Sequence, residues 1–422
     1  MKFKFSILSF NTLLFFLCIV FSLFQNYELT FLVWTITFLL TIKQKYSPTI
    51  LIYVSLFAAI LFVSIIPTVF VYSYRIFLII RDFTYIIKPV LGLLIGYQIC
   101  RYQSSNGFRV LVYAGFTIAL IHIGMLIFAF LRFKSLDLNL IRSKGGFFSD
   151  YEIYILILLI FHDKFQLTFS KKQIFIFTTV IGFSSLTYFA RTNMIQFLIL
   201  ILAMKGYLIL NKTTIKVLTV VFITTLVSYS LIYNYNPKRT GDGADKLLYK
   251  IKIAPEEAFK THINKEDWKY FNDNYRSFEN NIAVKQVSSD GIDAILFGKG
   301  LGSTLNLGRR IHTTDGSEVQ YIPIAHNGFM TVFLKSGITG VLILIVFIIL
   351  LYRQPKSNIP LVENINLLLI GSSIFLIVSN WVFMGFYLKL DNKSIIIGFL
   401  IALKEIVIRE NKMIKIPQNI NV

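Results

Sequence analysis

The sequence predicts an all-α polytopic membrane protein, and two observations support this prediction. Of its 422 residues, 55% are hydrophobic, and the mean hydropathy is +0.66. Apolar runs of roughly twenty residues, the length of a helix that crosses a bilayer, follow one another along most of the chain. A soluble protein of this length would not be so apolar, so the sequence excludes the soluble classes of enzyme and binding protein.

About twelve apolar segments are predicted to span the membrane. The first segment starts with Lys2 and Lys4 but has no small-residue cleavage site, so we expect it to be retained as a helix rather than removed as a signal peptide. Lys and Arg are more frequent in the connections that this arrangement places inside, which predicts that both termini are cytoplasmic. The predicted spans lie near residues 5–24, 29–42, 49–71, 86–99, 108–131, 151–161, 174–189, 194–210, 217–233, 327–352, 365–385 and 394–408.

One polar segment interrupts the apolar pattern and divides the chain into three regions. Residues 1–233 hold the first nine spans, residues 234–325 form a single large periplasmic loop, and residues 326–422 hold the last three spans and a cytoplasmic tail. Within the loop, "PEEAFK" at Pro255 predicts a helix start, because proline and carboxylates favour the first helical turn. "YRSFENNIAVKQV", Tyr275 to Val287, has apolar residues at helical spacing and predicts a second helix, and "FGKGLGS" predicts a tight turn.

Three residues near the predicted membrane surface are candidates for chemistry. His326, followed by Asn327, lies at the outer mouth of the tenth span, where it is either a polar cap or a general base whose pKa suits neutral pH. Arg191 lies between two spans joined by almost no loop, where it is either a snorkelling side chain or a planar ligand for a phosphate. Arg276 opens the predicted loop helix and, taken alone, reads as a solvated charge.

The net charge of +20 is mostly a topology signal and does not indicate a nucleic-acid partner. Some cations nevertheless fall in outer segments, against the positive-inside bias, and an anionic partner should compensate them. The pyrophosphate of a lipid headgroup would be a suitable anionic partner. The outer cations form two predicted substrate-binding groups, Arg75, Arg81 and Lys88 before the fourth span, and Arg142 and Lys144 before the sixth.

Several short motifs resemble those of O-antigen polymerases and O-antigen ligases. "ARTNMIQFLILIL" looks like the Ser-Arg-Thr/Ser-Gly motif that opens a span in that family, with Ala190 in place of the usual serine. "YRSFENNIAVKQVSSDGIDAILFGKGLGS" and "AHNGFMTVFLKSGITGVLILIVF" look like its arginine, its Gly-x-Gly-x-Gly run and its His-Asn followed by Gly-x-x-Gly. "SKGGFFSDYEIYILILL" is similar to its Gly-x-Phe segment, with Ser149-Asp150 in place of the usual asparagine. The predicted layout of helices and loop is also that of the family.

The resemblance implies a GT-C-like membrane glycosyltransferase of the bacterial inner membrane. Its donor would be an oligosaccharide on undecaprenyl pyrophosphate, and the reaction would need neither a metal nor a cofactor. Arg191 and Arg276 would neutralise the leaving pyrophosphate, and His326 would take the proton from an acceptor hydroxyl or orient it, with Asn327 hydrogen-bonded nearby. Asp150 and Glu152 are the alternative base. Membrane lipid and a chain-length regulator protein are the further partners implied.

The motifs leave three functions open. A polymerase must hold two undecaprenyl-linked glycans at once, and the two groups of outer cations favour it over a ligase, whose acceptor is lipid A-core. A flippase for lipid-linked oligosaccharides would have a similar number of helices. It would not need a structured outer loop of this size, and transporters usually show related halves, which are not evident in this sequence.

Overall fold

A computed structural model describes residues 7–24, 26–102, 107–134, 146, 149–209, 211–240, 243–264, 266–312, 318–388 and 391–415. Within these ranges nine helices precede the loop: α1 (Ile7–Leu23), α2 (Tyr27–Thr41), α3 (Pro48–Phe70), α4 (Ile76–Tyr102), α5 (Gly107–Phe133), α6 (Asp150–Ile160), α7 (Lys171–Thr187), α8 (Arg191–Met204) and α9 (Lys212–Tyr235). The loop contains α10 (Gly243–Phe259), α11 (Trp268–Asp273), α12 (Tyr275–Ser288), α13 (Ile292–Phe297), β1 (Leu305–His312) and β2 (Glu318–Ile322). After the loop come α14 (Gly328–Tyr352), α15 (Pro360–Phe383), a short 3-10 turn (Gly385–Tyr387) and α16 (Lys393–Lys415).

Every predicted span coincides with a helix, and the chain is a largely helical, membrane-embedded protein, as predicted. Within the described ranges, five helices are long and apolar enough to cross a membrane by length and composition alone, namely Pro48–Phe70, Gly107–Phe133, Lys212–Tyr235, Gly328–Tyr352 and Pro360–Phe383. The full set of twelve spans and the GT-C-like arrangement stay predictions. We call the end of the bundle that carries α10 to β2 the loop end, and the other the far end.

Helices α4 and α16 pack closely at the centre of the bundle. A Cβ atom added to Gly96 would lie 1.9 Å from the carbonyl oxygen of Ile395, and one added to Gly398 would lie 2.0 Å from that of Leu93. Small residues at such positions let two backbones approach, which strengthens packing where the surrounding lipid offers no hydrophobic driving force. The glycines therefore set the distance between the two helices.

Helix α9 stands at the edge of the structure. Thr214 is the buried residue among those described in this helix, and the neighbour against which α9 packs is the loop helix α10. Its apolar side chains face outward along its whole length, as expected for a helix whose environment is lipid rather than protein. Helix α9 thus connects the bundle to the loop without joining the core.

The described part of the loop contains four helices and two strands, and it corrects two predictions made for this region. The predicted helix at Tyr275 is confirmed as α12, but the helix around Pro255 begins earlier, at Gly243, and contains the proline. The amphipathic residues before Pro255 continue the helix through the proline. Their packing outweighs the usual helix-breaking effect of proline at this position. Strands β1 and β2 form an antiparallel hairpin, with Leu305 opposite Ile322, that was not predicted for this all-helical class.

The glycine-rich segment forms a tight turn, as predicted, and fixes the loop to the bundle. Gly298, Gly300 and Gly302 all have positive φ angles, which glycine adopts without strain. The backbone N–H of Gly300 donates to the carbonyl of Lys335 at 3.0 Å, and the N–H of Gly302 donates to the Asp82 carboxylate at 2.7 Å. The turn therefore bridges α4 and α14.

A buried ion pair lies beneath this turn. The ammonium group of Lys335 contacts the carboxylate of Asp82, and both side chains are almost completely buried. Lys335 also donates to the carbonyl of Ser303, and Arg81 contacts the other Asp82 oxygen at 3.1 Å. Charges removed from water need pairing and hydrogen bonds of this kind, and the network connects the turn to α4 and α14.

Candidate active site at the loop end

Three helix N-termini supply the candidate catalytic residues. Arg191 is the first residue of α8, Arg276 is the second residue of α12, and His326 immediately precedes Asn327, the N-cap of α14. Helix N-termini carry unpaired N–H groups and the positive end of the helix dipole, and both favour a negatively charged ligand. The fold therefore brings to the loop end the three residues that the sequence identified separately.

Arg191 and Arg276 meet on one carboxylate, that of Glu257 in α10. Arg191 donates to Glu257 Oε2 at 3.1 Å, and Arg276 donates to Glu257 Oε1 at 2.8 Å. Arg191 also donates to the carbonyl of Lys250 at 2.6 Å, which anchors its guanidinium to the loop. About a quarter of each arginine side chain is exposed, so the pair lies at a surface rather than within the core.

One carboxylate, that of Glu257, bonds both guanidinium groups, and the charge of the nearby Glu279 also acts on Arg276. Burial lowers the pKa of Arg276, the Glu257 carboxylate opposes that shift, and the neighbouring Arg191 adds to it. An arginine offers five N–H donors, and in the described part of the chain Arg276 uses only its NH1 group, on Glu257. The arrangement therefore retains N–H donors for an added anion.

His326 is held by a second carboxylate, Glu279 of α12. Its ring Nδ1 lies 3.0 Å from both Glu279 oxygens, and its backbone N–H donates to Glu279 Oε2 at 2.7 Å. Glu279 is 1% exposed, whereas the histidine side chain is 45% exposed. A carboxylate on Nδ1 fixes the tautomer that carries its proton there, so the basic Nε2 atom faces outward.

Tyr275 completes the surroundings of this dyad. Its ring meets the His326 ring edge to face, with 5.7 Å between the centroids. Burial raises the pKa of Tyr275, and the nearby Glu279 carboxylate raises it further, so the phenol stays protonated. Tyr275 and Glu279 are four residues apart in α12, which puts them on one face of the helix.

Asn327 caps helix α14. A polar cap was one of the two interpretations that the sequence offered for His326 and Asn327. Its side-chain oxygen accepts a hydrogen bond from the backbone N–H of Met330 at 3.1 Å, and the residue is 2% exposed. The amide Nδ2 is buried, and no described group accepts a hydrogen bond from it. Asn327 thus orients the start of α14, and through it the backbone of His326.

The first group of predicted outer cations is not a surface cluster, which corrects the sequence analysis. Helix α4 begins at Ile76, ten residues before the predicted span of 86–99, so Arg81 as well as Lys88 lies inside the helix. Arg81 pairs with Asp82, and the buried Lys88 donates to the carbonyl of Leu388 at 2.6 Å. Arg75 alone is exposed, so the three residues cannot bind one pyrophosphate together. Arg142 and Lys144 lie outside the described residues.

The alternative base is not supported either. Asp150 is buried and bonds Lys393 at 2.7 Å. Glu152 is also buried and accepts a hydrogen bond from the Tyr188 hydroxyl at 3.0 Å. Neither carboxylate is exposed to an acceptor sugar, because both turn into the helix bundle at the start of α6.

The sequence analysis missed Glu257 and Glu279, which organise the site. Glu279 had a usable signal, because the predicted helix at Tyr275 already places Tyr275, Arg276 and Glu279 within one turn of each other. Glu257 had no such signal, because its partners Arg191 and Arg276 lie 66 and 19 residues away in the sequence.

Comparison of the chain with protein-family models, with curated proteins and with solved structures finds no match. The resemblance to O-antigen polymerases and ligases therefore stays a prediction, and function has to be argued from the geometry of the site itself.

Proposed function

We propose that the protein is a membrane glycosyltransferase that polymerises a surface polysaccharide. It would transfer a growing glycan from undecaprenyl pyrophosphate to the next lipid-linked repeat unit at the periplasmic face of the inner membrane. The observation that carries this proposal is the pairing of an exposed, carboxylate-oriented histidine with two clustered arginines at one end of a membrane-embedded bundle. The motif resemblance described above points to the same class.

His326 would act as the general base. Its Nε2 atom would take the proton of an acceptor hydroxyl as that oxygen attacks the anomeric carbon of the donor sugar. Glu279 would stabilise the imidazolium that forms, because it is buried and holds Nδ1 at 3.0 Å. Glu279 is a positioning residue in this scheme, since it acts through His326 and does not touch the substrate.

Arg191 and Arg276 would bind the leaving group. When the bond between the anomeric carbon and the pyrophosphate oxygen breaks, the electron pair stays with the pyrophosphate, and two guanidinium groups would stabilise that charge. Arginine suits this role because its planar fork matches phosphate oxygens. In the resting site Glu257 occupies part of each fork, so a donor pyrophosphate would share or displace this carboxylate.

Ligase activity remains the alternative within this class. The sequence analysis favoured a polymerase because of two groups of outer cations, and the first of these is buried or paired. Both activities cleave the same kind of donor and would use the same arginines and histidine. The choice of polymerase therefore depends on the acceptor, and an experiment on the products must decide it.

The test is deletion of the gene in its native host, followed by electrophoresis of the surface glycolipid. A polymerase mutant should show lipid A-core carrying a single repeat unit. Bare core with long undecaprenyl-linked polymer would mean a ligase, and bare core with repeat units retained on the cytoplasmic side would mean a transporter; either result contradicts the proposal.

Complementation of the deletion strain tests the site. Wild-type protein and His262→Ala, a change at an exposed loop histidine, should restore the polymer. His326→Ala should reach normal levels in the membrane and restore none. Near-normal polymer from His326→Ala would contradict the assignment of the base.

A further inference from the structure

A basic cavity lies at the far end of the bundle, away from the candidate active site. It is bounded by the turn between α2 and α3, the last turns of α4, and α16, and its volume is about 250 Å³. That volume corresponds to on the order of eight water molecules. Three cations contribute to its lining, namely Lys45, Arg101 and Arg409.

The one carboxylate in the lining is already engaged. Glu405 accepts hydrogen bonds from the Ser47 hydroxyl at 2.6 Å and from the Tyr97 hydroxyl at 2.7 Å, one on each oxygen. The Tyr97 hydroxyl in turn accepts a bond from the backbone N–H of Ser47 at 3.3 Å. These bonds join α3, α4 and α16 and form a fixed polar wall. They also direct the carboxylate toward the hydroxyls rather than toward the cations.

The cations of the cavity are positioned but not neutralised. Arg101 donates through NH1 to the carbonyl of Lys45 at 2.6 Å, and its guanidinium carbon lies 5.7 Å from the centre of the Tyr97 ring. These contacts hold the guanidinium while leaving its other N–H groups available. Throughout the described ranges, Lys45, Arg101 and Arg409 make no ion pair with a carboxylate. With three cations and one carboxylate, the cavity has an excess of positive charge.

We propose that this cavity binds the phosphate of an anionic phospholipid headgroup. The surroundings favour a lipid as the source of the phosphate, because Leu39, Leu40 and Ile42, beside the turn that carries Lys45, are more than half exposed and offer an apolar surface for an acyl chain. Basic pockets between membrane helices suit such headgroups, each nearby cation adding to the attraction. The proposal is independent of the glycosyltransferase function, since no residue of the candidate active site takes part.

Native mass spectrometry of the full-length protein in detergent tests the proposal. The protein is titrated with dioleoyl phosphatidylglycerol and, separately, with dioleoyl phosphatidylcholine, which has the same chains but no net charge. We expect tighter binding of phosphatidylglycerol, weakening as salt is raised. Arg101→Gln and Arg409→Gln should each weaken that binding by about fivefold. Arg353→Gln, at an exposed arginine outside the cavity lining at the same end, should leave it unchanged.

Three results would overturn the proposal. Equal binding of the two lipids would show that the protein does not recognise the negative charge of the headgroup. Unchanged phosphatidylglycerol binding by Arg409→Gln would remove the cavity from the interaction, and because Arg409 is exposed on α16, this variant should fold normally. Displacement of phosphatidylglycerol by millimolar inorganic phosphate would identify a free anion, rather than a lipid, as the occupant.

Discussion

At the scale of single residues, the dyad of His326 and Glu279 combines a partly exposed imidazole ring with a buried carboxylate that orients it. In the proposed mechanism the ring reaches the substrate because it is partly exposed, and it keeps one orientation because the Glu279 carboxylate that holds it is buried. A histidine whose Nδ1 proton is held in this way is fixed in one rotamer and one tautomer, with Nε2 as the proton acceptor. The neighbouring Asn327, in contrast, is buried and caps helix α14.

The first prediction concerns Glu279→Gln. The amide has nearly the same size and can still accept a hydrogen bond, but it cannot stabilise a positive charge on His326. We expect polymer formation to fall by about 100-fold or more, the range of general-base contributions, with unchanged membrane levels. Glu266→Gln, at an exposed loop carboxylate, is the matched control and should behave as wild type. Wild-type polymer from Glu279→Gln would show that the carboxylate only supports the fold.

The second prediction concerns the arginine pair. Arg191 bridges the Lys250 carbonyl and the Glu257 carboxylate with separate nitrogen atoms, which a single ammonium group cannot reproduce. Arg191→Lys should therefore lose nearly as much polymer-forming activity as Arg191→Ala. Arg310→Lys is the control, because Arg310 is 76% exposed and pairs only loosely with Glu318. If lysine at position 191 restores most activity, the residue supplies charge alone.

At the scale of elements, α12 and the glycine-rich turn together place the loop over the helices. Helix α12 carries both Arg276 and Glu279, so it links the arginine pair to the histidine. The turn between α13 and β1 is held by backbone hydrogen bonds to α14, the helix that follows His326. Any displacement of the turn would therefore move the loop residues relative to the start of α14.

The third prediction tests this anchor with Gly300→Ala. A Cβ atom at this position would lie 2.4 Å from Thr68 Oγ1 and 2.7 Å from the Thr68 backbone nitrogen, and φ is +77°. Gly308→Ala is the matched control, because its φ is +68° but no atom lies within 4 Å of its Cβ. The control should lose only about 1 kcal/mol of stability through backbone strain. Gly300→Ala should lower the thermal midpoint in detergent clearly further, and equal shifts would show that the contact with α3 is not rigid.

At the scale of the whole molecule, the two ends of the bundle differ in character. The loop end carries the loop helices together with His326, Arg191 and Arg276, and the far end holds a basic cavity between helix termini. The positive-inside prediction puts the loop end in the periplasm and the far end in the cytoplasm. Substrate chemistry and the proposed lipid contact would then occur on opposite sides of the membrane.

The fourth prediction tests this orientation by cysteine labelling in spheroplasts. Cys18 and Cys100 are both buried, so the natural cysteines should give little background. Thr261→Cys, in the loop, should react with a membrane-impermeant maleimide in intact spheroplasts, whereas Lys356→Cys, at the far end, should react only after lysis. Both positions are exposed, so the reverse pattern would invert the topology rather than reflect burial.

The sequence by itself determined the helical, membrane-embedded class, a helix at each predicted span and the loop helix at Tyr275, and it singled out Arg191, Arg276 and His326, which the fold brings to the loop end. Apolar run length and helical spacing are local properties, so they can be read along the chain. Tertiary structure decided which charges are free. Lys88 and Arg81 look like outer cations until α4 extends past them and buries or pairs them, and Glu257 has no visible role until it meets two distant arginines. Ion pairing and burial depend on contacts between elements far apart in the chain, and no local pattern encodes them.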